Sequence, residues 1–257
     1  NYGNYQYSDG SICVWVPAFY TRLGHPDNPT YATYGVNSRS ILPLSAYGGA
    51  ASAAADSYYL HRAFINAGMV QPGFFRDKYD CSNNGGVASS IALAMPMVSG
   101  PNLVGTPQVG FSAVGATNAY HGAIVAAKTR GTKFFPESVF IADALCCISE
   151  AHAQASTATT HCAWWDTTGV RNYPKGNDNN ALKSEADVLQ SGGSAVTFTS
   201  AGTTTYPNFA LTGSGSSLAK TTHNGQACGI ADVAGNIYKI NPGMTCIATS
   251  KNITAAT

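Results

Sequence analysis

The chain has 257 residues and a formal net charge of +1, so it creates no long-range field that would attract nucleic acid or an anionic membrane surface. Only 11% of the residues are charged while 44% are hydrophobic, a composition that excludes intrinsic disorder. A surface with so little charge is a solubility risk for a free monomer, so we expect sister subunits of a homo-oligomer, or other proteins of an assembly, to cover much of it.

Strand-like segments open the chain. Residues 11–20 are rich in β-branched and aromatic side chains and predict a strand that closes near Pro17. Residues 24–49 contain three prolines and several glycines and predict a long loop. Strand character returns over 74–82, and a further strand is expected over 230–240.

Two helices are predicted from hydrophobic spacing, over 52–67 and 139–154. The first has Gly68 at the position of a C-terminal cap, and the second has Ser138 as its N-cap. The apolar residues that define the two faces are Leu60, Ala63, Phe64 and Ala67 in the first helix, and Phe140, Ala144, Cys147, Ile148 and Ala151 in the second.

The remaining chain predicts irregular structure. Residues 83–118 carry many turn signals, and 184–222 form a Ser/Thr/Gly-rich region with short β pieces. Two helices among short strands and long loops predict one α+β domain over 1–257, in which the helices pack on a small mixed sheet. No apolar run approaches the ~20 residues of a membrane span, so no such span is expected.

Seven cysteines are too few for a disulfide scaffold in a chain of this length. We expect most of them to be small buried hydrophobes in a reducing site of assembly, with Cys146 and Cys147 pointing in different directions from one helix. The chain opens on Asn1 rather than Met, which predicts a processed or incomplete start and leaves a removed leader open.

Three local patterns have a structural and a functional interpretation. The stretch "SGSSLAKTT" over 214–222 lacks both glycines that a phosphate loop needs. His152, His161 and Cys162 match no zinc spacing, so a helix-end histidine and a buried cysteine are favoured over metal ligands. The adjacent tryptophans of "HCAWWD" would stack a sugar or an aromatic ligand, but core packing is the commoner role of such a pair.

Several segments together resemble the formylglycine-generating-enzyme, or sulfatase-modifying-factor, family. "GIADVAGNIYKI" over 229–240 is similar to its "G-L-x-D-M-x-G-N-V-W-E-W" segment, and "GFFRDKYDCSN" over 73–83 to its "F-x-I-D-x-Y-E-V-T-N" strand. "ICVWVPAFY", "SVFIADALCCISEAHAQA", "HCAWWD" and "YPKGN" resemble other family segments in the same order. The resemblance spans nearly the whole chain and implies a C-type lectin-like fold, whose long loops need the many Gly, Asn and Pro turns.

The chain departs from the enzymes of that family at the positions that matter for chemistry. In the enzymes the Gly-Asn segment contributes to a calcium site; Asn236 matches one ligand, but Lys239 stands where a Glu ligand is expected. A cation in the ligand shell opposes calcium, so Asn236 is a weak metal candidate and calcium is not expected. Cys246 stands alone where the enzymes end in a reactive cysteine pair, so no catalytic residue is assigned.

The resemblance is nearer to a non-catalytic branch, the phage tail and adsorption proteins and the variable proteins of diversity-generating retroelements. It implies a virion surface or tail protein, assembled in the host cytoplasm, that presents a binding face to a host-surface receptor or a neighbouring virion protein. In that branch the face lies toward the C-terminal end, which we expect to lie partly beyond this chain. A cysteine-oxidising enzyme and a purely structural virion subunit remain the alternatives.

Overall fold

The computed structural model describes residues 3–97, 119–168, 171–177, 181–184, 196–202, 208–235, 239, 241–247 and 250–253. Within them the chain forms short strands, a few helices and long irregular connections, as the α+β prediction requires. The strands, in chain order, are β1 Asn4–Gln6, β2 Ile12–Pro17, β3 Phe19–Leu23, β4 Arg39–Pro43, β5 Tyr59–Leu60, β6 Ile65–Asn66, β7 Met69–Val70, β8 Gly73–Asp77, β9 Ser82–Asn84, β10 Val87–Ser89, β11 Met244–Ile247 and β12 Ser250–Ile253.

The α-helices are α1 Tyr31–Tyr34, α2 Ala50–Ala55, α3 Ala119–Lys128 and α4 Val139–Ala155. Single turns of 3-10 helix occupy Gly35–Asn37, Leu44–Ala46, Arg62–Phe64 and Leu218–Thr221. None of the described helices combines the length and the apolar character needed to cross a bilayer.

The strands form separate small sheets rather than the one mixed sheet that was predicted. Two sheets have three strands, in the orders β1-β2-β8 and β4-β3-β5, and β9 with β10, β6 with β7, and β11 with β12 form two-stranded pairs. Every pairing among the described strands is antiparallel. The predicted strand over 11–20 is real but divides at Ala18, so that β2 and β3 enter different sheets.

Helix α4 confirms the prediction over 139–154, and it holds the two three-stranded sheets together. Ser138 caps it, since its Oγ accepts a hydrogen bond from the backbone N–H of Ile141 at 3.3 Å. The buried helix face then packs on both sheets in one apolar cluster, which joins these residues: Val14, Val16, Ala18, Phe19, Phe64, Ala144, Leu145, Cys147 and Ile230.

The helix predicted over 52–67 is wrong. Helix α2 ends at Ala55, and Ser57 has a φ of 63°, which a continuing helix does not allow. The chain then pairs with β3 as β5, and Gly68, with a φ of 77°, lies in the β6–β7 turn rather than at a helix end. Phe64 still reaches the core, but from a 3-10 turn.

Other parts of the chain also differ from prediction. The segment 24–49 contains β4 and short helical turns, and α3 was not predicted at all. No strand forms over 230–235, the first part of the segment predicted as a strand over 230–240: Asp232 has a φ of 55° and Gly235 a φ of 74°, both outside the extended region. Residues 236–238 and 240 lie outside the described part of the chain.

Candidate binding cavity and adjoining charge cluster

One face of the β1-β2-β8 sheet carries exposed aromatic side chains. Trp15 of β2 lies opposite Phe75 of β8, and Tyr5 of β1 lies opposite Cys13, two residues from Trp15 along the same strand. These four side chains therefore share a face, because alternate residues of a strand point the same way. Phe75 contacts both neighbouring rings, with centroids 5.2 Å from Tyr5 and 4.8 Å from Trp15, yet 57% of it remains exposed.

A cavity of about 630 Å³ opens beside this aromatic face. Helix α3 and the segment 130–137 form its other walls, and the aromatic residues at its lining include Tyr5, Tyr7, Phe75, Phe134 and Phe135. Its volume falls within the range of pockets that hold small ligands or a side chain of a partner. Large exposed aromatic groups around a cavity are a common feature of binding surfaces.

Arg130 fixes the cavity wall to the sheet. Its guanidinium is almost fully buried and contacts Asp77 at 2.6 Å and Asp9 at 3.2 Å, and it also donates hydrogen bonds to the carbonyl oxygen of Ala88. It lies over the ring of Phe134, 4.8 Å from the centroid. Burial opposes the charge of Arg130, but the two carboxylates outweigh that cost and raise its pKa above the ordinary value.

Charged side chains cluster where the segment after β8 meets residues 230–235 and Lys239. Lys239 Nζ lies 2.5 Å from Asp80 Oδ1, and Asp232 Oδ2 accepts hydrogen bonds from the backbone N–H groups of Gly213, at 2.7 Å, and Asp80, at 3.3 Å. Burial, together with the neighbouring Asp80 carboxylate, raises the pKa of Asp232 to about 6. Asp232 and Lys239 therefore both contact Asp80, in the chain that follows β8.

A second ion pair adjoins this cluster. Arg76 Nε lies 3.1 Å from Glu137 Oε1, and Asn241 donates a hydrogen bond to the carbonyl oxygen of Glu137 at 3.1 Å. Burial acts to raise the pKa of Glu137, but the charge of Arg76 outweighs burial and holds it below the ordinary value. Arg76, Glu137 and Lys239 line both the aromatic cavity and a second cavity of about 740 Å³ beside α4, so the charged cluster separates the two.

Three buried thiols, those of Cys13, Cys147 and Cys162, lack the environment of a reactive cysteine. Burial and the nearby Asp77 carboxylate raise the pKa of Cys13 to about 12, and burial raises those of Cys147 and Cys162 to about 11. A thiol is nucleophilic only as its thiolate, so these groups react slowly at neutral pH. Cys147 is buried whereas Cys146 is exposed, as their adjacent positions on one helix predict.

His61, Asp143 and Cys147 place a nitrogen, an oxygen and a sulfur atom within 4.8 Å of one another. The hydrogen bonds explain this group without a metal. His61 Nδ1 accepts from the backbone N–H of Ala63 at 3.2 Å, so the proton of the neutral ring is on Nε2, which donates to Asp143 at 2.9 Å. A metal at Nε2 would have to displace that proton and leave neither ring nitrogen protonated.

The other candidates from the sequence that the structure describes have structural roles. Trp164 is buried and donates a hydrogen bond from its ring N–H to the carbonyl oxygen of Thr222 at 2.9 Å, which confirms the core interpretation. His152 contacts the carbonyl oxygen of His161 at 3.0 Å, and Cys162 is buried in the core. Asn236 lies outside the described residues, so the absence of calcium stays a prediction.

The cluster around Asp80 was missed in the sequence because Asp80 is far along the chain from Asp232 and Lys239. Asp80 and Lys239 are separated by 159 positions, and no spacing rule relates them. Comparison with known proteins adds no family: a scan against protein-family models and a search of curated proteins both give no match.

A buried histidine beside the cluster gives a prediction about pH. Burial lowers the pKa of His223 from its ordinary value of 6.5 to about 3, and its Nδ1 accepts the backbone N–H of Ile230 at 3.0 Å. Below about pH 6.5 His223 is therefore protonated in the unfolded chain, whereas in the folded chain it stays neutral down to about pH 3. The stability that depends on neutral His223 is complete above pH 6.5 and is lost as the pH falls.

We expect the free energy of unfolding of His223→Gln to fall less steeply below pH 6.5 than that of the original chain. The difference in free energy of unfolding between the original chain and the variant should shrink between pH 6.5 and pH 4, by up to about 1.4 kcal/mol per pH unit. Denaturant titrations at several pH values measure it, with His25→Gln at a more exposed position as the control. Parallel profiles for the original chain and His223→Gln would contradict the assignment.

Proposed function

We propose that this chain is a non-catalytic surface or tail protein of a virion, a bacteriophage virion by its sequence resemblance, that works by binding. The proposal includes a C-type lectin-like scaffold, a homo-oligomeric state and assembly in the host cytoplasm. Its target is a host-surface receptor or a neighbouring virion protein. The observation that carries it is the exposed aromatic face beside the 630 Å³ cavity.

Several features support binding over catalysis. The aromatic face is rigid, because its strands are paired on both sides of β2 and Arg130 ties the opposite wall to the sheet. Rigid aromatic side chains provide a large contact area at a small cost in conformational entropy. The raised pKa values of Cys13, Cys147 and Cys162 make these three thiols poor nucleophiles for the cysteine-oxidising alternative.

The test is a pair of substitutions on the aromatic face. Tyr5→Ser and Phe75→Ser together should weaken binding to host cells or to partner virion proteins by at least about tenfold, since buried aromatic groups dominate interface energies. Both side chains are about half exposed, so the thermal unfolding midpoint should change little. Labelled protein on cells, and virion fractions on a sensor surface, give the binding measurement.

The matched control is Met69→Ser with Val70→Ser, a pair of exposed apolar side chains in the β6–β7 turn region. This control should bind like the original chain. Equal binding by both double variants would contradict the aromatic face as the site. Binding to virion proteins but to no cell would support the structural-subunit alternative, and oxygen-dependent turnover of cysteine peptides would support the enzyme.

A further inference from the structure

We propose that Lys239 and Asp80 join through an amide bond between Nζ and Cγ, an intramolecular cross-link in which Asp232 assists as the acid. The inference is independent of the proposed binding role. One amine and one carboxyl group, Lys239 and Asp232, come from the same stretch of chain and meet the distant carboxyl group of Asp80. Lys239 Nζ is already 2.5 Å from Asp80 Oδ1, and Asp232 is held beside Asp80 by the backbone N–H of Asp80 itself.

The carboxyl group of Asp80 is poorly accommodated as a simple ion-pair partner. Its side chain is only 7% exposed, and its Oδ2 is one of two buried side-chain oxygen or nitrogen atoms of the described residues that have no hydrogen-bond partner. A buried carboxylate oxygen without a donor carries the desolvation penalty of that atom with nothing to offset it. An amide at this position removes the charge of both groups and with it most of that penalty.

The reaction balances without a further reagent. A proton passes from the Lys239 ammonium to the Asp80 carboxylate, and the resulting amine attacks Cγ to form the C–N bond. Asp232 donates its proton to the leaving oxygen of Asp80 and regains one from the attacking nitrogen. The C–O bond breaks, one water molecule leaves, and nothing is oxidised or reduced.

Asp232 has the properties that this step requires. With a pKa of about 6, roughly a tenth of Asp232 is protonated at pH 7, where a solvent-exposed aspartate would be almost fully ionised. Its backbone is held with a φ of 55°, and two backbone N–H groups fix the orientation of its carboxyl group. Well-oriented groups within one molecule reach effective concentrations of up to about 10⁵–10⁸ M, and such proximity offsets the unfavourable loss of water from an acid and an amine in solution.

A second lysine, the buried Lys78, provides a comparison for this reaction. Its Nζ lies 2.6 Å from Asn4 Oδ1 and 2.7 Å from the carbonyl oxygen of Ala227. Both of these partners are amide oxygens, so the hydrogen bonds described for Lys78 include no carboxyl group to supply a proton. We therefore expect the cross-link at Lys239 and none at Lys78.

Mass spectrometry of the purified, folded chain tests the proposal. The intact mass should be lower than the sequence mass by one water molecule, and protease digestion should release a branched peptide that joins Asp80 to Lys239. The loss of water should disappear in Lys239→Arg, which keeps the positive charge but offers no amine. It should persist in Lys78→Arg.

Asp232→Asn separates the role of the acid from that of the ion pair. This variant keeps a side-chain oxygen to accept the two backbone N–H groups, so folding, followed by circular dichroism, should be retained while the cross-link forms at least tenfold more slowly. An unmodified intact mass for the original chain after prolonged incubation at neutral pH would overturn the proposal and leave an ion pair only. A loss of water that maps to other residues would overturn it equally.

Discussion

Replacement of Phe64 by alanine is expected to lower the free energy of unfolding by about 3–5 kcal/mol. Phe64 is fully buried between the two three-stranded sheets, with its ring centroid 5.0 Å from that of Phe19 and 5.4 Å from that of Phe74. Alanine leaves a cavity that neither ring can fill, because both belong to paired strands that cannot shift independently.

Denaturant unfolding measures this loss, and Phe135→Ala is its control. Phe135 is the same residue type but 59% exposed, so its removal should cost well under about 1 kcal/mol. Similar losses in the two variants would mean that Phe64 is not the contact between the sheets.

Replacement of Arg130 by methionine should have the second large effect, a loss of about 3 kcal/mol. Methionine fills a similar volume but leaves the carboxylates of Asp9 and Asp77 side by side without a cation, and the carbonyl oxygen of Ala88 without its donor. The cost is therefore that of uncompensated buried charge rather than of lost packing.

The control for this prediction is Lys128→Met, which removes a positive charge from the end of the helix before Arg130. Lys128 donates to the carbonyl oxygen of Thr132 from an exposed position, so little stability should be lost. Asp77→Asn added to Arg130→Met should recover part of the loss, since it removes one of the two unpaired carboxylates. A double variant no more stable than the single one would contradict the electrostatic cause.

The sequence predicts helix α4 well, because local signals agree with tertiary packing there. Ser138 offers a cap, and the spacing of Ala144, Cys147 and Ala151 places one face toward the core. The failure over 52–67 has the opposite cause. Leu60, Ala63 and Phe64 have helical spacing and do reach the core. Pairing with β3, however, stabilises Tyr59 and Leu60 more than an extended helix α2 would.

The candidate site was less predictable than the fold. The resemblance drew attention to Asn236, which lies outside the described residues, and to Lys239, but it does not say what Lys239 contacts. The pairing of Lys239 with Asp80 depends on how the segment after β8 meets the chain near Ala231, whose N–H bonds the carbonyl oxygen of Lys78. Contacts of this kind follow from tertiary structure and have no local signature in the sequence.

The central apolar cluster joins residues from distant parts of the chain, so it cannot form until the last of them has been synthesised. Val16 and Phe19 are translated well before Leu145 and Ile230, which belong to the same cluster. At about 5–20 residues per second the ribosome takes roughly 10–40 seconds to make the intervening chain. For that time the first strands present an uncovered apolar face, so the nascent chain should be a client of ribosome-associated chaperones, and its yield should fall when they are depleted.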